Sequence, residues 1–124
     1  MSDADFERAK PLVMGRQDHR CLRCGVWLRA GQWPGYAVHH RMNRRRADPE
    51  WRHSPANLVA LCGTDNAIGC HGWVHRHPEE ANRLGLYLRA GQDPRTTPVI
   101  DWRGRSLLLD DQGDYTTTTE RTIP

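Results

Sequence analysis

Cysteine side chains occur in this chain at spacings that suit metal ligands. They comprise a Cys-x-x-Cys pair, Cys21 and Cys24, and a more widely spaced pair, Cys62 and Cys70. Four thiolates complete the tetrahedral ligand set of a structural Zn²⁺, and a bound ion would stabilise a small domain. We therefore predict one four-cysteine zinc site. The alternative is that one or both of the later cysteines are ordinary buried residues.

Three histidines supply a second set of ligands. His71 and His75 are four residues apart, which places both on one face of a helix, and His39 belongs to a His-His dipeptide. Three imidazoles leave coordination positions for water and a phosphate oxygen, so the pattern predicts an open catalytic site for a divalent metal. The candidate ions are Mg²⁺, Mn²⁺, Ni²⁺, Co²⁺ and Zn²⁺. The alternative is that these histidines simply lie on the surface.

Arginines follow the His-His dipeptide directly, in a chain whose net charge is +3. A basic cluster beside a candidate catalytic strand suggests a polyanionic substrate, and we predict that it contacts the backbone phosphates of a nucleic acid. The alternative is a solvated loop that serves only solubility. The predicted DNA-binding residues are Arg41, Arg44, Arg45 and Arg46.

The elements that must position these residues follow from hydrophobic periodicity and from glycine and proline. In chain order, the pattern predicts a helix over 5–18 interrupted at Pro11, strands over 27–29, 36–42 and 57–62, a helix from Gly69, a helix over 78–85, and a β extension with strands over 98–102 and 106–110. Side chains alternate along a strand, so His39 and His40 are predicted to point in opposite directions. Gly25 is predicted to take a positive φ in the turn after the first cysteine pair.

Length and composition set the remaining bounds. The chain has 124 residues, of which 37% are hydrophobic, so one small domain with a modest core is expected. No apolar run approaches the length of a membrane span, and the N-terminus is acidic and polar. We therefore expect no membrane partner and a cytoplasmic location, where cysteines serve as metal ligands more often than as disulfides.

Three segments together resemble the HNH nuclease family. They are Val38-His39-His40, the run Asn57 to Cys62, and Cys70-His71-Gly72-Trp73-Val74-His75. The resemblance spans about 21–75, and the last segment is similar to small HNH proteins of bacteriophages that infect actinobacteria. It implies an α+β fold with a ββα-metal (His-Me finger) core. Residues 1–97 would form the nuclease domain with its N-terminal helix and zinc knuckle, and 98–124 a β-hairpin and tail packed on it.

The resemblance also implies a role for each site residue. His40 would be the general base that activates water, and Asn57 would hold the loop that carries this base. His39, His71 and His75 match the metal ligands. The remaining histidines, His19, His53 and His77, have no partner in this scheme and are predicted to be surface residues.

The function that the resemblance implies is metal-dependent hydrolysis of DNA phosphodiester bonds. A single divalent metal would stabilise the charge on phosphorus and on the leaving oxygen. The expected substrate is double-stranded DNA. The resemblance also suggests a role in phage DNA packaging or mobility, with terminase subunits of a packaging motor as further partners. The expected location is then the host cytoplasm. The alternative is a zinc-stabilised DNA-binding or packaging accessory protein without independent catalysis.

Overall fold

The structure is a computed structural model that describes residues 1–118. The α+β class predicted from the sequence is confirmed, because the chain forms helices and two small sheets. The elements are α1 (Asp3–Arg16), β1 (Tyr36–His40), a 3₁₀ helix (Pro55–Asn57), β2 (Leu58–Cys62), α2 (Gly69–Arg76), α3 (Pro78–Arg83), β3 (Val99–Ile100), β4 (Ser106–Leu109) and β5 (Tyr115–Thr117). Within residues 1–118, no helix is long and apolar enough to cross a bilayer.

Strands β1 and β2 form an antiparallel pair at the centre of the fold, with His40 opposite Leu58. All five residues of β2 are buried, since this strand contacts α1 and α2 as well as β1. Its backbone is also bonded from outside the sheet: the Gln17 side chain donates to the carbonyl of Ala60 and accepts from its N–H. Arg16 donates to the carbonyl of Leu58. The end of α1 therefore supplies hydrogen-bond partners to backbone groups of β2, and the N–H of Leu22 also donates to the carbonyl of Ala60.

Helix α1 is continuous, so the predicted interruption at Pro11 is wrong. A capping box between Ser2 and Asp5 starts the helix, which satisfies backbone N–H groups at its first turn. Pro11 has no N–H to donate to the carbonyl of Glu7, but both residues are exposed, so water can hydrate that carbonyl. The opposite face buries Val13 and its neighbours in the main core.

The C-terminal part forms a three-stranded antiparallel sheet in the order β3-β4-β5, in which β3 and β4 are the predicted hairpin and β5 is an additional strand. The additional strand comes from the Thr-rich tail, where Thr116 and Thr117 pair with β4; β-branched residues favour such pairing. The rest of the tail, 119–124, lies outside the described residues. Val99, Leu107 and Leu109 pack into the same core as β2. The strand predicted over 27–29 is reduced to one bridge between Arg20 and Trp27.

Candidate functional site

The four cysteines lie close enough together to hold a metal ion. Their sulfur atoms all lie within 4.8 Å of one another. The Sγ atoms of Cys24 and Cys62 are 3.9 Å apart, which is near the roughly 3.8 Å between ligands of a tetrahedral zinc ion with Zn–S bonds of about 2.3 Å. This cluster is therefore a candidate structural metal site.

The first pair of cysteines lies in a tight turn. The N–H of Cys21 donates to the carbonyl of Val26, and the N–H of Gly25 donates to the carbonyl of Cys21, with N···O distances of 2.8 and 2.9 Å. Gly25 has a φ of +81°, as the sequence predicts. A Cβ at this position would lie 2.6 Å from the Trp102 ring, so the turn needs glycine for space as well as for conformation.

The second pair meets although seven residues separate Cys62 from Cys70. Gly63 and Gly69 both have positive φ, and the chain folds back so closely that a Cβ on Gly69 would lie 2.5 Å from the carbonyl oxygen of Cys62. The N–H of Cys70 then points at the Sγ of Cys62, 3.3 Å away. Two glycines thus bring together cysteines whose spacing is unusually long.

The environment of Cys21 and Cys62 opposes ionisation of their thiols unless a cation is bound. Burial raises the pKa of Cys62 to about 11. The pKa of Cys21 is also raised, by the contact of its thiol with Cys70 and by burial. One cationic side chain is already in place, because Arg23 donates to the Sγ of Cys70 at 3.3 Å while its guanidinium stacks 3.6 Å from the Trp73 ring centroid. Four thiolates would form here only with the charge of a metal ion to offset their repulsion.

The three predicted histidine ligands form a second cluster, with ligand nitrogens within 4.8 Å of one another. His39 lies on β1, and His71 and His75 lie on one face of α2. The Nε2 atoms of His71 and His75 are 3.3 Å apart. Ligands of a tetrahedral ion with metal–nitrogen bonds of about 2.0–2.1 Å are separated by nearly the same distance. The spacing of the two rings therefore fits a transition-metal ion.

A hydrogen bond from His39 and the burial of all three rings favour metal binding. Nε2 of His39 lies 2.8 Å from the carbonyl oxygen of Leu86 and must donate to it, which leaves the lone pair on Nδ1. Burial lowers the pKa of His39 to about 3, and burial is also the main cause of the lowered pKa values of His71 and His75. All three imidazoles are therefore neutral at neutral pH. A neutral imidazole is the form that binds metals.

His40 has different neighbours from His39, as the alternation along β1 predicts. Its Nε2 lies 2.9 Å from Nδ1 of His53. Burial, together with the nearby His53, Arg44 and Arg52 side chains, lowers the pKa of His40 to about 3. Both histidines nevertheless line one open cleft of about 440 Å³, together with His71 and His75. A neutral imidazole thus lies beside the candidate metal site.

Asn57 is fully buried behind this cleft and does not line it. Its Oδ1 accepts from the N–H of Met42 at 2.8 Å, and its Nδ2 donates to the carbonyls of Met42 and Arg52 at 3.2 and 3.0 Å. These bonds tie the segment that follows His40 to the segment that precedes His53. Asn57 is therefore a positioning residue in this structure.

Two sequence predictions about this region are wrong. Arg41 is buried and donates to four backbone carbonyls, so it cannot contact DNA. His53, predicted to be a surface residue, is only 2% exposed because Phe6 and His40 pack on it. Arg44 and Arg45 are exposed and line the cleft, whereas Arg46 is exposed on a different cavity.

The structure thus brings the predicted cysteines and histidines together as two clusters and leaves two of the four predicted arginines at the cleft. No protein-family model, curated protein or solved structure matches the chain. The functional argument therefore rests on the geometry and electrostatics of these two clusters and of the residues around them.

Proposed function

We propose that this protein is a metal-dependent endonuclease of the HNH type that hydrolyses phosphodiester bonds of DNA. The observation that carries the proposal is the convergence of four neutral imidazoles on one open cleft. Three of them are arranged as metal ligands, and the fourth, His40, belongs to a separate hydrogen-bonded pair. Strands β1 and β2 with helix α2 would form the ββα-metal core of such an enzyme.

The residues that would hold the catalytic metal are His39, His71 and His75. A divalent cation there would supply Lewis-acid stabilisation of the charge that develops on the phosphate and on its leaving oxygen. The proposed role of His40 is to accept a proton from the water that attacks phosphorus. Cations near His40 disfavour its protonation, and the negative charge of an entering phosphate would raise its pKa towards the range in which a general base is effective.

The charge distribution supports DNA as the substrate. Residues 19–47, which carry the first cysteine pair and His39 and His40, include no aspartate or glutamate and seven arginines, of which only Arg41 is fully buried. Such a segment attracts a polyanion along its length. Arg44 and Arg45 line the cleft, and their proposed role is to contact backbone phosphates near the cleaved bond. These contacts would add affinity with little dependence on base sequence.

The cysteine cluster is proposed to hold a structural Zn²⁺. Four sulfur ligands close the coordination shell, which leaves no position for a substrate, and thiolates prefer Zn²⁺ to Mg²⁺ or Mn²⁺. Cys62 is the last residue of β2, and Cys70 lies in the first turn of α2. A zinc ion there would hold α2 in the orientation that presents His71 and His75 to the cleft.

Cleavage of supercoiled plasmid tests the proposal. Wild type, His40→Ala and the control His19→Asn would be freed of loosely bound metal and assayed with Mg²⁺, Mn²⁺, Ni²⁺, Co²⁺ and Zn²⁺. His19 is exposed and has a φ of +59°, which asparagine tolerates, so the control changes an unrelated histidine without strain. We expect metal-dependent nicking by wild type and control, and a loss of at least about 100-fold in His40→Ala.

DNA affinity and melting temperature show whether His40→Ala affects only the chemical step. DNA affinity and melting temperature of His40→Ala should match those of wild type, because the proposed role is chemical. If wild type binds DNA but cuts it with none of the five metals, the nuclease proposal fails. The cysteine cluster and the arginines would then indicate a DNA-binding accessory protein without catalysis of its own.

A further inference from the structure

His53 lies directly against the proposed base, and the proposed reaction gives it no role so far. It is 2% exposed, and its Nδ1 is 2.9 Å from Nε2 of His40. The Phe6 ring stacks on His53 with centroids 5.0 Å apart and an interplanar angle of 22°, and it also contacts His40 with centroids 4.9 Å apart. Helix α1 therefore packs a hydrophobic ring against both members of a histidine pair.

The backbone on either side of His53 is held as well. Its N–H points at the Sδ of Met1, 3.1 Å away, and the carbonyl of the preceding residue, Arg52, accepts from Nδ2 of Asn57. The next residue, Ser54, caps the 3₁₀ helix with its hydroxyl. The His53 ring is thus fixed in place before any ligand enters the cleft.

We propose that His53 is the positioning residue for His40. It accepts a hydrogen bond from Nε2–H of His40 and so keeps the His40 lone pair on Nδ1. In a pair of neutral imidazoles, one nitrogen donates and the other accepts, so His40 keeps a basic Nδ1 only if it is the donor. Nδ1 of His40 makes no hydrogen bond to any residue between 1 and 118, so it is free to meet a water in the cleft.

The inference rests on the proposed function, because the role of base decides which ring donates. When water gives its proton to Nδ1, the O–H bond breaks, an N–H bond forms and His40 becomes an imidazolium. Its Nε2–H then donates to a neutral acceptor on His53, and such a charge-assisted hydrogen bond is stronger than the neutral one. His53 would therefore hold the ring before proton transfer and stabilise it afterwards, without touching the substrate.

Two substitutions separate the hydrogen bond from the packing. His53→Phe keeps a ring of similar size against Phe6 but removes the acceptor. His53→Asn places an amide oxygen close to the position of Nδ1 and so restores the acceptor in a smaller side chain. The exposed His19, changed to asparagine, serves as the matched control.

The ring tautomers are read directly from two-bond ¹H–¹⁵N correlation spectra of the ¹⁵N-labelled, zinc-loaded protein at neutral pH. We expect His40 to carry its proton on Nε2 in wild type, His53→Asn and His19→Asn, and to populate both tautomers in His53→Phe. In plasmid cleavage, His53→Phe should lower kcat by about 10- to 100-fold with KM unchanged, as loss of an orienting hydrogen bond does elsewhere. His53→Asn should recover most of that kcat.

The spectra keep the inference testable apart from cleavage. A proton on Nδ1 of His40 in wild type overturns it, and so does a His53→Phe protein whose His40 tautomer is unchanged. If His53→Phe does not fold, the wild-type and His53→Asn spectra still decide, since both must show Nε2–H. If wild type cuts no DNA, the nuclease proposal fails while the spectra still report whether His53 sets the tautomer of His40.

Discussion

The buried guanidinium of Arg41 is the basis of the first prediction, which concerns Arg41→Met. Its four hydrogen bonds run from Nε to Gly85 at 2.7 Å, from Nη1 to Ala56 and Pro94 at 2.8 and 2.9 Å, and from Nη2 to Thr97 at 2.5 Å. Each bond from a charged donor contributes about 1.5–3 kcal/mol, so the four together contribute about 6–12 kcal/mol.

Part of that stabilisation is offset by the cost of burying the cation. Burial and, to a smaller extent, the nearby charge of Arg16 lower the pKa of Arg41 to about 9. An effective penalty of several kcal/mol per buried ion is typical. Methionine would fill the space of the side chain without this penalty, but it would leave the four carbonyls without their donor. We therefore expect a net loss of about 3–5 kcal/mol in the free energy of unfolding.

Urea and thermal unfolding measure this loss, and Arg45→Met is the matched control. For a chain of this size the expected drop in Tm is about 10–20 °C for Arg41→Met. The exposed side chain of Arg45 should change stability by less than about 0.5 kcal/mol. Removal of the Arg45 guanidinium should instead make the plot of log DNA affinity against log salt concentration less steep, by the amount that corresponds to about one phosphate contact. An Arg41→Met protein within 1 kcal/mol of wild type would refute the reasoning about the four carbonyls.

Two further predictions concern the metal cluster and α2. Cys24→Ser should remove the proposed structural zinc and lower the Tm, because three thiolates leave the tetrahedral site incomplete. Metal analysis and calorimetry test this, and a zinc content equal to that of wild type would remove Cys24 from the proposed ligand set. Gly72→Ala should destabilise the protein by about 1–3 kcal/mol, since its Cβ would lie 2.6 Å from the carbonyl carbon of Ala67. The control is Gly15→Ala in α1, where the added Cβ would have no atom within 4 Å and should stabilise the protein by up to about 1 kcal/mol. If urea unfolding showed the same change in stability for Gly72→Ala and Gly15→Ala, the packing argument would be contradicted.

The ligand residues could be found from the sequence because their spacing is local. His71 and His75 share a helix face at i and i+4, and Cys21 and Cys24 fit one turn. The distance between Cys62 and Cys70 along the chain gave a weaker indication. Their approach depends on two positive-φ glycines, whose conformation the residue type permits but does not determine.

The sequence contained an indication that Arg41 is buried, but the positive charge of the neighbouring arginines drew attention away from it. Residues two apart on a strand share a face, so Arg41 follows the same side of the chain as His39, which is buried. An arginine two positions beyond a buried candidate ligand can therefore belong to the interior when carbonyls surround it. Counting it with Arg44 and Arg45 as part of one basic run concealed this difference.

His53 illustrates what local patterns do not predict. It reaches His40 across a separation of 13 residues, through a loop whose path depends on the buried amide of Asn57. Neither periodicity nor turn residues specify that path. Phe6 lies on α1, more than 40 residues before His53 in the chain, so this contact forms only when α1 is packed on the sheet.

The dipeptide Cys70-His71 links the two clusters through the first turn of α2. Successive residues of a helix point about 100° apart, so the sulfur of Cys70 can face the cysteine cluster while the ring of His71 faces His39. An ion bound to Cys62 and Cys70 fixes α2 against the end of β2, and this sets the distance from His75 to β1. Loss of the cysteine-bound ion should therefore weaken metal binding by the histidines as well, whereas loss of an ion from the histidine cluster would leave the cysteine cluster and the core that contains it intact.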